Sequence, residues 1–366
     1  MNILLIGKYP PIEGGVSRNN YYFARTLARN GHNVFVVTNS FEVEAGHRIF
    51  FEKEDLEQLT STYKTGRIFF WSSQHLGIHE DYIPQGRPFT TKLASLACGV
   101  CEEYKIDIVY ASYLEPYSIA GSLISNWYDL PLIIVHAGSD MSRLIKQDTL
   151  GPCYSKVLQK CTVIGSNVSR HEQLAEIGIR PEQVYPAPSS SIHRDIFHPN
   201  VKEMDINRKL NLIKKSFQNK NQFQFSNFED IDTKKVIFGI YGKVGDVKGS
   251  LDLLESLSLL KKKNLDFYLV CILHGLEENE KKFFERAAKL DLLENIRNLP
   301  FLPNWKIPSY IKATDAMLFL ERGFDVSSHS PIVPAEIFSC RKYLILSKEV
   351  YDNQYQFRDV MSDGVN

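Results

Sequence analysis

The sequence predicts an α/β protein of two Rossmann-like domains, and three observations support this prediction. Residues 2–38 form a strand–turn–helix–strand pattern, and its first strand, Asn2–Ile6, is apolar without alternation. Such strands are typical of parallel sheets that are covered on both faces. Residues 236–263 repeat the beginning of this pattern after a polar, irregular stretch at 199–235. A chain of 366 residues also has room for two domains with cores of their own.

The second pattern contains the turn on which the functional prediction depends. Three glycines, Gly242, Gly245 and Gly249, alternate there with Lys243 and Lys248. The helix that follows is predicted by leucines at helical spacing, at Leu251, Leu254, Leu257 and Leu260. The start of a helix offers free backbone N–H groups to an anion, glycines allow close approach, and lysine adds a charge. The pattern therefore predicts a phosphate site, although an ordinary loop with solvated lysines would have the same composition.

The first pattern contains a similar turn. Gly14 and Gly15 precede its helix, and Ser17 is the predicted N-cap. The strand Val34–Thr38 follows, so parallel pairing through a right-handed crossover is expected. The turn is not G-x-G-x-x-G, so the dinucleotide-binding fingerprint is absent.

A candidate ligand-binding residue lies farther along the first domain. Further strands are predicted at Ile106–Tyr110, Leu132–Ala137 and Thr162–Gly165. The second of these ends in HAGSD, which places His136 and Asp140 at a strand's carboxyl end, where open α/β sheets bind ligands. His136 is therefore predicted to contact a ligand. The alternative is a histidine whose nitrogens are satisfied by backbone groups.

The predicted domain limits are 1–199 for the first domain, 200–235 for a linker and 236–366 for the second domain. The linker contains a basic amphipathic helix whose apolar face consists of Ile206, Leu210, Ile213 and Phe217. Such a helix could lie on an anionic membrane surface. The favoured alternative is that it packs against a domain as part of a hinge.

The composition of the chain bears on which nucleic-acid, metal and membrane partners are expected. Lys plus Arg and Asp plus Glu each number 43, so no nucleic-acid partner is predicted. The six cysteines are interpreted as thiols of a reducing compartment, and the lone C-x-x-C at Cys98 and Cys101 is not expected to bind zinc. The N-terminus is interpreted as a first strand, not a signal peptide, and no apolar stretch is long enough to span a bilayer. A cytoplasmic protein is expected, with a peripheral membrane contact left open.

Five motifs in order resemble the family 4 retaining glycosyltransferases of the GT-B fold. Residues 8–38 resemble the proline–glycine turn and GHxVxVxT of the family's opening, and VHAGSD resembles its His-Gly-x-Asp strand end. VIGSNVSRHEQLAEIGI and IHRDIFHP resemble the end of its first domain, and YGKVGDVKG resembles its donor loop. The resemblance covers nearly the whole chain. It implies two Rossmann-like domains that face each other across a cleft.

The resemblance also assigns roles to side chains. Lys243 and Lys248 would neutralise the leaving nucleoside diphosphate, aided by backbone N–H groups near Gly14 and Gly15, and Gly242 would help to bind the donor. His136 would contact the transferred sugar. The family uses no bound metal and no other cofactor, and no protein nucleophile is evident in the sequence. Lys243 stands where the family usually has arginine, and lysine lacks the bidentate fork.

A pair of family glutamates is matched only in part. The second glutamate, which binds the nucleotide ribose, corresponds to Glu336. The first should lie eight residues earlier, but position 328 is Ser328. Ser328 and His329 are therefore the candidates for donor contact there. Glu321 lies fifteen residues before Glu336, so a rearranged loop would be needed for it to fill the same position.

The implied activity is transfer of a sugar from a nucleotide-sugar donor to a glycan, lipid-linked or small-molecule acceptor in the interdomain cleft. Two alternatives remain at this point. A non-catalytic GT-B partner subunit would explain the missing first glutamate. A sugar-nucleotide epimerase of the GT-B fold would bind the nucleotide with the same residues. The resemblance further predicts that the second domain stops short of the family's closing helices. Such a domain would expose apolar surface and leave the cleft more mobile.

Overall fold

A computed structural model describes residues 1–75, 88–137, 140–167, 170–187, 192–217, 227–323 and 331–354. The chain forms two compact units, Met1–Ser189 and Ser190–Asn366. This division falls about ten residues before the predicted end of the first domain. The predicted limits 1–199, 200–235 and 236–366 stay a prediction, because compactness alone does not define functional domains.

The first unit is built on an eight-stranded sheet. Its strands are β1 (Asn2–Ile6), β2 (Asn33–Thr38), β3 (Ser61–Thr62), β4 (Arg67–Ser72), β5 (Ile108–Ser112), β6 (Leu132–Val135), β7 (Val163–Ser166) and β8 (Val184–Pro186). They lie in the order β3-β4-β2-β1-β5-β6-β7-β8, and every pair is parallel except β3 with β4. The helices are α1 (Gly15–Arg29), α2 (Phe89–Glu103), α3 (Ile119–Tyr128), α4 (Gly151–Lys160) and α5 (His171–Glu176).

The predicted βαβ unit at the start of the chain is present. Leu4 and Leu5 of β1 are fully buried, as expected for a central strand of a parallel sheet. The N-cap prediction for Ser17 is wrong, because α1 begins at Gly15 and Gly14 is its N-cap. Ser17 is buried instead, and its hydroxyl has no hydrogen-bond partner among the described residues.

The second unit has a five-stranded, fully parallel sheet. Its strands are β9 (Val236–Lys243), β10 (Phe267–His274), β11 (Ile296–Asn298), β12 (Ala316–Phe319) and β13 (Tyr343–Leu346), in the order β11-β10-β9-β12-β13. The helices are α6 (Ile206–Phe217), α7 (Ser250–Lys262), α8 (Glu277–Lys289), α9 (Ile307–Lys312), α10 (Val333–Ser339) and α11 (Lys348–Asp352). Of the leucines whose spacing predicts α7, Leu254 and Leu257 are buried in one core with β9 and β10, and Leu251 and Leu260 are partly buried against it.

The amphipathic helix predicted in the linker is α6. Its apolar residues Ile206, Leu210 and Ile213 are buried. The Asn207 side chain exchanges two hydrogen bonds with the backbone of Ile231, at 3.0 and 2.8 Å. These three residues are therefore packed within the second unit, as the packing alternative predicted, whereas the hinge role stays a prediction and the Phe217 side chain lies outside the described residues. Residues 355–366 lie outside the described residues, so the expectation about the closing helices stays a prediction.

One buried hydroxyl connects the central strands of the second sheet. Tyr310 of α9 is fully buried, its hydroxyl accepts from the Ile240 N–H at 2.9 Å and it donates to the Val270 oxygen at 2.7 Å. Ile240 and Val270 belong to β9 and β10. The hydroxyl therefore fixes α9 against the strand that leads into the glycine-rich turn.

We expect Tyr310→Phe to lower the free energy of unfolding of the second unit by about 1–3 kcal/mol, because the Ile240 N–H would stay buried without its partner. Urea unfolding followed by tryptophan fluorescence measures this change. The matched control is Tyr343→Phe, since the Tyr343 side chain is 64% exposed. Equal stability of the two variants would contradict the role given to the hydroxyl.

Candidate active site

The glycine-rich turn, residues 243–249, lies at the carboxyl edge of the second sheet between β9 and α7. It closes on itself through hydrogen bonds from Lys248 N to Gly245 O, at 3.1 Å, and from Gly249 N to Asp246 O, at 3.0 Å. We call it the donor loop. The N-cap of α7 is Gly249, and no described side chain caps this helix. Within the described residues, no N-cap side chain therefore competes with an anion for the first N–H groups of α7.

Gly249 is required by the geometry of this loop. It has φ +68°, and a Cβ atom added there would lie 2.2 Å from the backbone oxygen of Leu320. Leu320 directly follows β12, the strand beside β9. The donor loop therefore touches the loop after β12, residues 320–323, which we call the β12 loop.

The two predicted lysines have different surroundings. Lys243 is exposed at the end of β9 and has no ion pair within the part of the chain that the structure describes. Lys248 donates to the carboxylate of Glu321, whose side chain is only 9% exposed. In the sequence, Glu321 is a candidate only for the missing family glutamate. Its contact with Lys248 was not predicted.

Glu336 lies on α10, at the same edge of the sheet. It is buried, and its Oε2 accepts from the Tyr241 hydroxyl at 2.7 Å. Tyr241 is in β9, two residues before Lys243. Lys243, Lys248 and Glu336 therefore share the carboxyl edge of one sheet, and the roles given to them stay a prediction. Ser328 and His329 lie outside the described residues, so their assignment stays a prediction.

The first unit carries its own polar groups at the carboxyl edge of its sheet. Gly14 and Gly15 form the N-terminus of α1, which follows β1. His136 follows β6; its Nε2 lies 2.7 Å from Ser166 Oγ and its Nδ1 lies 3.3 Å from the Ala137 oxygen. Burial lowers the pKa of His136, so the neutral imidazole is favoured. Both ring nitrogens already have partners, so a ligand contact would need an exchange of one of them.

Asp140 organises the turn after β6. It is fully buried, and its Oδ2 accepts from the N–H groups of Ala137, at 2.9 Å, and Leu114, at 3.1 Å. Burial raises its pKa to about 6, against the effect of these hydrogen bonds. Its Oδ1 has no partner among the described residues. Asp140 thus joins the ends of β5 and β6 and holds the backbone next to His136.

Two observations bear on metals and membranes. Within the ranges given above, no group of three or more His, Cys, Asp and Glu side chains is placed to hold a metal ion. In those same ranges, no helix is both long and apolar enough to cross a bilayer.

A known protein family matches the part of the chain that contains this sheet edge. The family described as "Glycosyl transferases group 1" matches residues 221–365, which include the donor loop and Glu336. No curated protein matches the chain. The GT-B fold and this match together define a glycosyltransferase.

Three solved structures show the extent of the similarity. Anabaena Alr3699/HepE in complex with UDP-glucose is 14% identical, with 99% of this chain and 90% of that chain covered and a TM-score of 0.55. Starch synthase IV of Arabidopsis thaliana, bound to ADP and acarbose, is 11% identical with coverages of 100% and 86% and a TM-score of 0.55. A putative UDP-N-acetylglucosamine 2-epimerase of Listeria monocytogenes is 11% identical, with 96% and 81% covered and a TM-score of 0.53.

We expect Gly249→Ala to move the donor loop away from the β12 loop, because the added methyl group would meet a backbone oxygen. The melting temperature should fall by several degrees and nucleotide binding should weaken about tenfold or more. Differential scanning fluorimetry and calorimetric titration measure these effects. Gly245→Ala is the control, since the nearest atom to its Cβ would be 3.7 Å away. Equal falls in the melting temperature of both variants would show that the contact with Leu320 does not restrict position 249.

Proposed function

We propose that the protein is a retaining glycosyltransferase of the family 4 type, which transfers a sugar from a nucleoside-diphosphate donor to an acceptor hydroxyl. The observation that carries this proposal is the donor loop with Lys243 and Lys248 beside buried Glu336 at one sheet edge. The group 1 match over residues 221–365 includes all three side chains. Complexes of similar proteins with UDP-glucose and with ADP support a nucleotide donor.

The chemical requirement is to stabilise the leaving diphosphate. Negative charge grows on its phosphate oxygens as the glycosidic bond breaks, so fixed positive groups there lower the barrier. Lys243 and Lys248, together with the first N–H groups of α7, would supply this charge without a metal. Each charge-assisted hydrogen bond contributes about 1.5–3 kcal/mol. Only the part that strengthens in the transition state accelerates the reaction.

The remaining site residues would position the donor. Glu336 would accept from the ribose hydroxyls, with its carboxylate oriented by Tyr241. Gly14, Gly15 and Gly242 would allow the backbone close to the donor. His136 would contact the sugar by exchanging the hydroxyl of Ser166 for a sugar hydroxyl. In the mechanism proposed here the acceptor attacks on the face from which the diphosphate leaves, so no protein nucleophile is required.

The proposal is tested by incubating the protein separately with UDP-, GDP- and ADP-glucose. We expect slow release of the nucleoside diphosphate from one donor as water takes the sugar. When a simple alcohol is supplied as acceptor, NMR should show a glycoside with the anomeric configuration of that donor, because a glycoside does not equilibrate its anomers as the free sugar does. Inversion at the anomeric carbon would contradict the retaining assignment. Binding without release would favour a non-catalytic partner subunit.

The epimerase alternative has one specific observation in its favour, the similarity to the Listeria putative epimerase. The same incubation with UDP-N-acetylglucosamine separates the two activities. An epimerase would change the configuration at C2 of the sugar, whereas a transferase would leave it unchanged.

We expect Lys248→Ala to weaken binding of the preferred nucleoside diphosphate about tenfold to a hundredfold, because it removes a charge-assisted hydrogen bond. Lys243→Arg should bind as well as the parent or better, since arginine binds phosphate through two N–H groups. Isothermal titration calorimetry measures both constants. Lys281→Ala is the matched control, as Lys281 lies on the exposed surface of α8. If Lys248→Ala binds the nucleoside diphosphate as tightly as the parent, the phosphates do not bind at Lys248.

We expect Glu336→Gln to weaken binding of the nucleotide about tenfold, because it replaces a charged acceptor for the ribose hydroxyls. The loss should be much smaller for the corresponding 2′,3′-dideoxynucleoside diphosphate, which lacks those hydroxyls. Tyr241→Phe measures how much of the effect comes from the lost orientation of Glu336. An equal loss with both nucleotides would leave Glu336 only a structural role.

A further inference from the structure

The ion pair between Lys248 and Glu321 joins two loops that are 73 residues apart in the chain. Glu321 lies in the β12 loop and has 9% of its side chain exposed, and Lys248 lies in the donor loop with 27% exposed. A carboxylate with so little access to water needs a positive or hydrogen-bonding partner. Lys248 provides one, and the pairing orients the lysine side chain.

Glu321 is itself held in place by its surroundings. Its backbone oxygen accepts from the Ser347 hydroxyl, and the N–H of its neighbour Arg322 donates to Val247 in the donor loop at 2.9 Å. The Arg322 guanidinium binds both carboxylate oxygens of Asp252 on α7, at 2.6 and 2.8 Å. The β12 loop is therefore bonded to the donor loop on one side of Lys248 and to α7 on the other.

An ammonium group has three N–H donors and can bind more than one acceptor at a time. A lysine side chain has four rotatable carbon links, so a free one would lose much rotamer freedom when it binds phosphate. A lysine already held by a buried carboxylate has lost that freedom beforehand. An ammonium group held in this way can bind an anion at the start of α7 while it keeps its contact with Glu321.

We propose that Glu321 is a positioning residue that holds Lys248 ready for the diphosphate of the donor. This inference rests on the proposed function, because it concerns the same nucleotide site. Glu321 acts through Lys248 and does not need to touch the donor itself.

The test is a double-mutant cycle in the full chain, with UDP, GDP and ADP as probes in calorimetric titrations. For the nucleotide that the parent binds, we expect Glu321→Ala to weaken binding about tenfold. Glu321→Gln should stay within about threefold of the parent, since its amide oxygen still accepts from Lys248. In the Lys248→Ala background, Glu321→Ala should change binding by less than about twofold, because the group it positions is gone.

A separate control asks whether a less rigid β12 loop would by itself weaken nucleotide binding. Asp252→Ala removes the bond from Arg322 and should leave binding within about twofold of the parent, because the pair of Glu321 with Lys248 remains. The double variant lacking both Glu321 and Lys248 should melt at a higher temperature than Lys248→Ala alone, since no buried carboxylate is left without its counter-ion.

The outcomes separate this inference from the function on which it rests. Unchanged or tighter binding by Glu321→Ala, while Lys248→Ala binds weakly, would overturn the positioning role alone. An equal effect of Glu321→Ala with and without Lys248 would also overturn it, by showing direct action on the nucleotide. A parent protein that binds none of the three nucleotides would overturn both proposals.

Discussion

The central position of β9 in the second sheet determines how the candidate site is assembled. This strand pairs with β10 on one side and β12 on the other, all parallel, so the segments that follow each strand meet at one edge. The close contact of Gly249 with Leu320 then brings the donor loop against the β12 loop. The ion pair of Lys248 and the bond from Arg322 to Val247 depend on this contact.

The site combines buried carboxylates with lysines that are more exposed than they are. Glu336 and Glu321 are 2% and 7% exposed, whereas Lys243 is exposed at the end of its strand. Each buried carboxylate has a donor from a neighbouring strand or loop, Tyr241 for one and Lys248 for the other. Buried partners of this kind fix the orientation of a side chain before a ligand arrives, which lowers the entropy lost on binding.

The sequence predicts local features of this fold well. The apolar runs at Asn2–Ile6 and Val236–Tyr241 and the glycines beside them predict the strands, turns and helices that the structure contains. The pairing of Lys248 with Glu321 is different, because it depends on β12 lying next to β9 although two other strands intervene in the sequence. Sequence spacing does not encode that neighbour relation. The N-cap error at Ser17 has a local cause, since Gly14 adopts φ 140° and takes the N-cap position.

The most direct measurement of the central claim is a crystal structure of the protein with the nucleoside diphosphate that it binds. We expect a diphosphate within hydrogen-bond distance of Lys248 Nζ and of the first N–H groups of α7, with the Lys248–Glu321 pair retained. We also expect a ribose hydroxyl to bind Glu336. A nucleotide bound away from this sheet edge, with Lys248 contacting only Glu321, would contradict the account.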